Sequence, residues 1–132
     1  MEVSDEPFEQ AWDGPLSNVR GLPRESLGQV VLSFTHSSSA DDIRQVLVGV
    51  LGEPVKRSAL LGKTTLRYES LPAKLVASRK KAELRISQRI KPKRLSDLLA
   101  ALSAVQGASG LRVAGLRRRF EAPGTNAGTP QG

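Results

Sequence analysis

Hydropathy alternation constrains this chain most, because three stretches repeat every second residue and two others repeat at helical spacing. In Gln29–His36, Val30, Leu32 and Phe34 alternate with Val31, Ser33 and Thr35, as in a strand with one buried face. Lys63–Glu69 does the same, with Thr64, Leu66 and Tyr68 against Lys63, Thr65 and Arg67. In Lys81–Ile90, Ala82, Leu84, Ile86 and Ile90 oppose Glu83, Arg85, Ser87 and Arg89. Ile43, Val46, Leu47, Val50 and Leu51 instead follow helical spacing. Ser37–Ser39 supply capping hydroxyls before them, Asp41 and Asp42 suit the first turn, and Gly52 with Pro54 ends the run. Leu95, Leu98, Leu99, Leu102 and Val105 form a second helical stripe, broken at Gly107–Gly110.

The remaining segments are less patterned. Val55–Leu61 reads as a short helical stretch ending at Gly62, and Leu71–Arg79 as a connection. Leu111–Phe120 reads either as a last strand or as a basic extension. The order strand, helix, strand, strand, helix predicts an α+β fold, a two-layer antiparallel sheet with helices on one face. A chain of 132 residues supports one such domain, expected over residues 21–120. A flexible acidic N-terminal arm is expected over 1–20 and a disordered tail over 121–132, since both ends are rich in Gly and Pro and lack a period.

Composition removes several chemistries. With no cysteine and one histidine, disulfides, thiolate zinc sites, cysteine nucleophiles and histidine-rich metal sites are excluded. Gly62-Lys63-Thr64 resembles the end of a phosphate-binding loop, but that motif needs a glycine where Arg57 stands. His36 beside Ser37, Ser38 and Ser39 has no orienting acid for a nucleophilic triad. No catalytic residue, metal ligand or cofactor site is read, and the protein is expected not to be an enzyme. No apolar run reaches the roughly 18 residues of a membrane span. The stretch Met1–Asp13 carries five acids and no base, unlike a secretory or organelle leader, so a cytosol-like compartment is expected.

Charge then becomes the informative feature. The net +7 conceals a steep local field, because residues 56–119 hold seventeen lysines and arginines against three acids, a net of +14. Packing both helix stripes on the face of Leu32, Phe34, Leu66, Leu84 and Ile86 leaves Ser33, Thr65, Arg67, Arg85, Ser87 and Arg89 on the other face. Phe34 and Tyr68 fall on the core side, so the open face offers cations and hydroxyls without aromatics to stack on splayed bases. Such groups donate to phosphates and 2′-hydroxyls without reading sequence, which suits an A-form duplex.

Short motifs in a shared order add to this. Trp12-Asp13-Gly14, Leu22-Pro23 followed by Glu25-Ser26, and Gly28 with Val30-Val31 opening a strand resemble the N-terminal half of the tombusvirus small RNA-silencing suppressors. The spacing from that strand to Leu84-Arg85-Ile86-Ser87 and the helix after it is also similar, over Trp12 to Val105. The nearest member is the shorter suppressor of the aureusviruses. The resemblance implies a homodimer whose sheets join into one eight-stranded concave surface. It also implies sequestration of small interfering RNA in the host cytoplasm without catalysis. Carried onto this sequence, it makes Lys63, Thr65, Arg67, Arg85, Ser87 and Arg89 RNA-facing, with Lys91 and Lys93 where the third strand passes into its helix. Tombusvirus members carry a tryptophan pair that caps duplex ends. This chain has only Trp12, at a different family position, so it is expected to bind short and long duplexes alike. Arg117, Arg118 and Arg119 stand where the family suggests a long C-terminal helix, and they offer further phosphate contacts or support for dimerisation.

The sequence thus predicts a viral suppressor of RNA silencing that binds double-stranded RNA. Two other readings stand beside it. One is an ACT-like regulatory module binding a small metabolite between subunits, suggested by the helix–glycine–strand run Leu95–Val113. The other is a basic ribosome- or assembly-associated RNA-binding protein.

Overall fold

In the computed structural model, which describes residues 2–121 and the side chains of residues 5–118, the period-two stretches become strands of one antiparallel sheet. The strands are β1 (Glu2–Ala11), β2 (Leu27–Thr35), β3 (Lys56–Leu60), β4 (Lys63–Tyr68), β5 (Ala73–Ala77), β6 (Lys81–Ile86) and β7 (Ser109–Glu121). The helices are α1 (Ala40–Leu51) and α2 (Pro92–Leu102). The sheet runs β1-β7-β2-β6-β5-β4-β3, with every neighbouring pair antiparallel. No described helix is long and apolar enough to cross a membrane.

The helices form where spacing and capping place them. Ser39 caps α1 by accepting a hydrogen bond from the Asp42 backbone N–H at 3.2 Å, and Gly52 closes it with its N–H on the Val48 carbonyl. Ile43, Leu47 and Leu51 of α1 and Leu95, Leu98 and Leu102 of α2 are buried. They share one core with the inward residues of the sheet, among them Leu32, Phe34, Leu66, Leu75, Leu84 and Ile86. A fully buried Leu of this kind is worth about 1.5–3 kcal/mol over an exposed one. The result is a helix layer on one sheet face and an open second face.

Three segments differ from the sequence expectation, and a fourth, left open between two readings, is decided by the structure. Val55–Leu61 is not helical: β3 pairs with β4 from Lys56↔Arg67 to Leu60↔Lys63. All five of its residues are exposed, so neither side of this edge strand carries a hydrophobic signature. Leu71–Arg79 contains β5, whose inward residues Ala73, Leu75 and Ala77 include two alanines too small to announce a strand. Leu111–Phe120 is resolved in favour of the strand, within β7.

The N-terminal segment expected as a loose arm contains β1, paired with β7 from Glu2↔Glu121 to Ala11↔Arg112. Its acids obscured the pattern because Glu6 and Glu9 find their partners in arginines on the neighbouring strand, while Phe8 supplies the apolar contact with the core. Seven strands in one chain also exceed the four per subunit of an eight-stranded dimeric surface. Apart from Glu121, the expected C-terminal tail lies outside the described residues.

Candidate nucleic-acid interface

Cross-strand register decides which side chains share the open face. Arg85 on β6 is opposite Lys74 on β5, Lys74 is opposite Arg67 on β4, and Arg67 is opposite Lys56 on β3. Four cations therefore stand in one row across four adjacent strands. At about 4.8 Å per strand, the row is roughly 14 Å long. All four residues are exposed.

A second row, containing Lys81 on β6 and Lys63 on β4, lies four residues along the same two strands, or about 13 Å away. Between the rows run Glu83, Val76, Thr65 and Ser58, again direct register partners. A surface depression of about 610 Å³ lies here, lined by Lys63, Lys74, Val76, Lys81, Glu83 and Arg85 among others. Two charged rails thus border a floor with one acid, and Glu83 is already hydrogen-bonded to Arg85 Nε. Among the described residues, Lys56, Lys63, Arg67, Lys74 and Lys81 have no ion-pair partner.

The other half of the sheet is electrically balanced. Glu9 of β1 pairs with Arg112 of β7 at 3.2 Å, and Glu6 holds Arg117 at 2.9 Å. Arg117 also reaches Glu25 at 3.5 Å, and the Glu6 hydrogen bond holds its guanidinium above the ordinary arginine range. Uncompensated charge is concentrated on β6, β5, β4 and β3.

Of the expected contact residues, Lys63, Thr65, Arg67 and Arg85 share this open face by register, and Ser87, just past β6, lines a depression with Arg67, Lys74 and Arg85. Arg89 is drawn elsewhere. Its guanidinium donates to the Ser26 carbonyl at 3.0 Å and lies 3.5 Å from the Asp5 carboxylate, tying the β6–α2 segment to the start of β2 and to β1. Lys91 and Lys93 belong to the helix layer, as N-cap and first-turn residues of α2, and no acid stands in that turn. Sequence reading missed Lys74, Lys56 and Lys81. The first two lie on strands without a legible period, and Lys81 opens a strand whose alternation already placed Arg85 on its face.

The aromatic inventory fits the same surface. Phe34 and Tyr68 are buried on the core side, and no aromatic lies on the open face among the described side chains. Trp12 is half-buried against the core, and its indole N–H donates to the Arg20 carbonyl at 2.6 Å. His36 is not poised for chemistry either. Its Nδ1 accepts from the Ser38 N–H and its Nε2 faces the Ser78 carbonyl, both at 3.0 Å, so the buried ring clips the β2–α1 loop to the β5–β6 turn. No cluster of metal-ligating side chains exists among the described residues.

Compared with protein-family models, curated proteins and solved structures, the chain has no match.

Proposed function

We propose that the open sheet face grips the phosphate backbone of double-stranded RNA, short or long, without reading its sequence, and thereby suppresses RNA silencing by sequestering duplexes such as small interfering RNA in a host cytoplasm. The observation that carries this reading is the row Arg85, Lys74, Arg67 and Lys56. Like charges directly opposite one another on a sheet are destabilising, and a polyanion laid across them relieves the repulsion. Hydroxyls of Thr65, Ser58 and Ser87 lie among the cations, suited to phosphate and 2′-hydroxyl contacts, and among the described side chains no aromatic lies on that face for base stacking. The second row at about 13 Å offers a place for a second backbone strand. A second copy joined through the sheet would extend both rows, in keeping with the homodimer expected from the sequence. Lys91, Lys93 and Arg89 are peripheral in this reading, since they lie off the cationic rows.

The test is a gel shift with a short RNA duplex of about 21 base pairs, a much longer RNA duplex, single-stranded RNA and duplex DNA. Retention of both RNA duplexes alone is the expected result. Affinity should fall with salt by about 0.7–0.9 log units per decade for each phosphate neutralised. A duplex affinity that ignores salt, or equal retention of single-stranded RNA, refutes the proposal.

A further inference from the structure

The end of the sheet where β3 turns into β4 carries an apolar tip. Leu60 is 74% exposed and Leu61 92%, the two most exposed large hydrophobic residues among those described. Leu61 is held at φ +53 beside Gly62 at φ +77, the two-residue turn of a hairpin. That position favours Asn or Gly, and a leucine there is strained because its Cβ crowds the carbonyl that follows. An exposed leucine at a strained turn gains nothing from the packing of its own chain.

Strand pairing brings a second turn to the same end. Thr64 on β4 is opposite Ala77 on β5, and Ala77 is opposite Ala82 on β6. The β5–β6 turn therefore lies alongside the leucine turn, two strand spacings or about 10 Å away. It reads Ser78-Arg79-Lys80, followed at once by Lys81. Arg79, Lys80 and Lys81 are exposed, as is Lys63 after the leucines, and none of the four has an ion-pair partner among the described residues. A depression of about 560 Å³ opens beside them, with Arg79, Lys80 and Lys81 on one side and Ser37 and Ser38 on the other. The acids at the adjoining start of α1 are already engaged. Asp41 accepts from Arg57 at 2.6 Å and Asp42 from the Ser38 hydroxyl at 2.9 Å.

We propose that this end of the sheet docks on an anionic phospholipid surface. Leu60 and Leu61 dip into the acyl boundary, and Lys63, Arg79, Lys80 and Lys81 meet the lipid phosphates. Two features select this occupant. A fluid bilayer closes around a projecting turn without needing a shaped groove, and apolar residues flanked by cations complement an apolar interior beneath a negative surface. A nucleic acid or an acidic protein would match the cations but leave the leucines in water. The contact is peripheral, and the depression gives one lipid phosphate room between the β5–β6 turn and the β2–α1 loop. The proposal goes beyond duplex binding and does not rest on it. Arg79 and Lys80 lie outside the two cationic rows, and the test contains no RNA, so the two conclusions fail separately.

The full chain should cosediment with vesicles of phosphatidylcholine and phosphatidylserine at about 7:3, and not with phosphatidylcholine alone. Arg79→Ala and Lys80→Ala should each weaken that partition about fivefold. Leu60→Ser combined with Leu61→Asn should weaken it about tenfold or more, with an unfolding temperature at or above that of wild type because Asn suits the left-handed turn. Because the chain lacks cysteine, Leu61→Cys takes a single environment-sensitive fluorophore, which should brighten on the anionic vesicles. The same label at Glu69→Cys, past the far end of β4 and about 20 Å away, should not. No partition into the anionic vesicles, equal partition into neutral ones, or a double leucine variant that binds like wild type would each overturn the proposal. So would a label at position 61 that brightens with protein concentration in the absence of lipid, which would assign the tip to a protein surface instead.

Discussion

Arg67 and Lys74 are direct register partners on β4 and β5, two like charges facing each other with no acid between them. In an isolated sheet this pair costs stability, of order 0.2–1 kcal/mol relative to neutral partners. Arg67→Ala and Lys74→Ala should therefore leave the unfolding temperature unchanged or slightly raised while weakening duplex RNA binding. Each should also flatten the salt dependence by about one unit of slope. Titrations at several salt concentrations beside a thermal melt separate these effects, and unchanged affinity removes the row from the binding surface.

Arg89 should behave in the opposite way. It serves the fold, through the Ser26 carbonyl and the Asp5 carboxylate. Arg89→Ala should lower stability by about 1–2 kcal/mol in urea, chiefly through the lost charge-assisted bond to Ser26, and leave the salt slope of RNA binding near that of wild type. A slope reduced as in Arg67→Ala would make Arg89 a phosphate contact.

Tyr68 presents a different imbalance. Among the described residues its buried hydroxyl has no hydrogen-bond partner, and burial raises its pKa above the ordinary tyrosine value. Removing that oxygen while keeping the ring should be neutral or stabilising by up to about 1 kcal/mol. Equilibrium denaturation of Tyr68→Phe checks this, and a loss of more than about 1 kcal/mol would show that the hydroxyl has a partner in solution.

Asp42 connects the start of α1 to pH. Hydrogen bonds from the Ser38 hydroxyl first, and then from the Ser39 side chain, hold its carboxyl below the usual value of 3.8. A carboxylate with a depressed folded pKa contributes stability above its unfolded pKa and loses it as pH falls through the folded one. The contribution should thus be complete at neutral pH and disappear below about pH 4. Ser38→Ala should move the Asp42 titration upward, as read by carboxyl NMR shifts, and make α1 fray at a higher pH. An Asp42 titration unmoved by that substitution would discount the Ser38 bond.

Where burial is one-sided, the sequence announced the structure. β2, β4 and β6 each have one covered face, so Leu32, Leu66 and Leu84 alternate with polar residues and reveal both strand and register face. The helix stripes were legible for the same reason, since Ile43 and Leu47 or Leu95 and Leu98 must reach one core. β3 was illegible because none of its residues is covered, and β5 because alanines carry little hydrophobic contrast. β1 was hidden by its charges, two of which, Glu6 and Glu9, find their arginine partners more than a hundred residues away, at Arg117 and Arg112. The site inherited these gaps. Arg67 and Arg85 were visible, whereas Lys74 and Lys56, which complete the row between and beyond them, required the pairing of strands that the sequence concealed.

The neutralisation of β7 by β1 has a consequence for encounters in solution. With positive potential cancelled at one end of the sheet and left intact at the other, the molecule carries a lopsided field. An approaching polyanion exerts a torque on it before contact, turning the uncancelled end forward. Orientation is thus set at a distance, within about one Debye length of roughly 8 Å at physiological ionic strength.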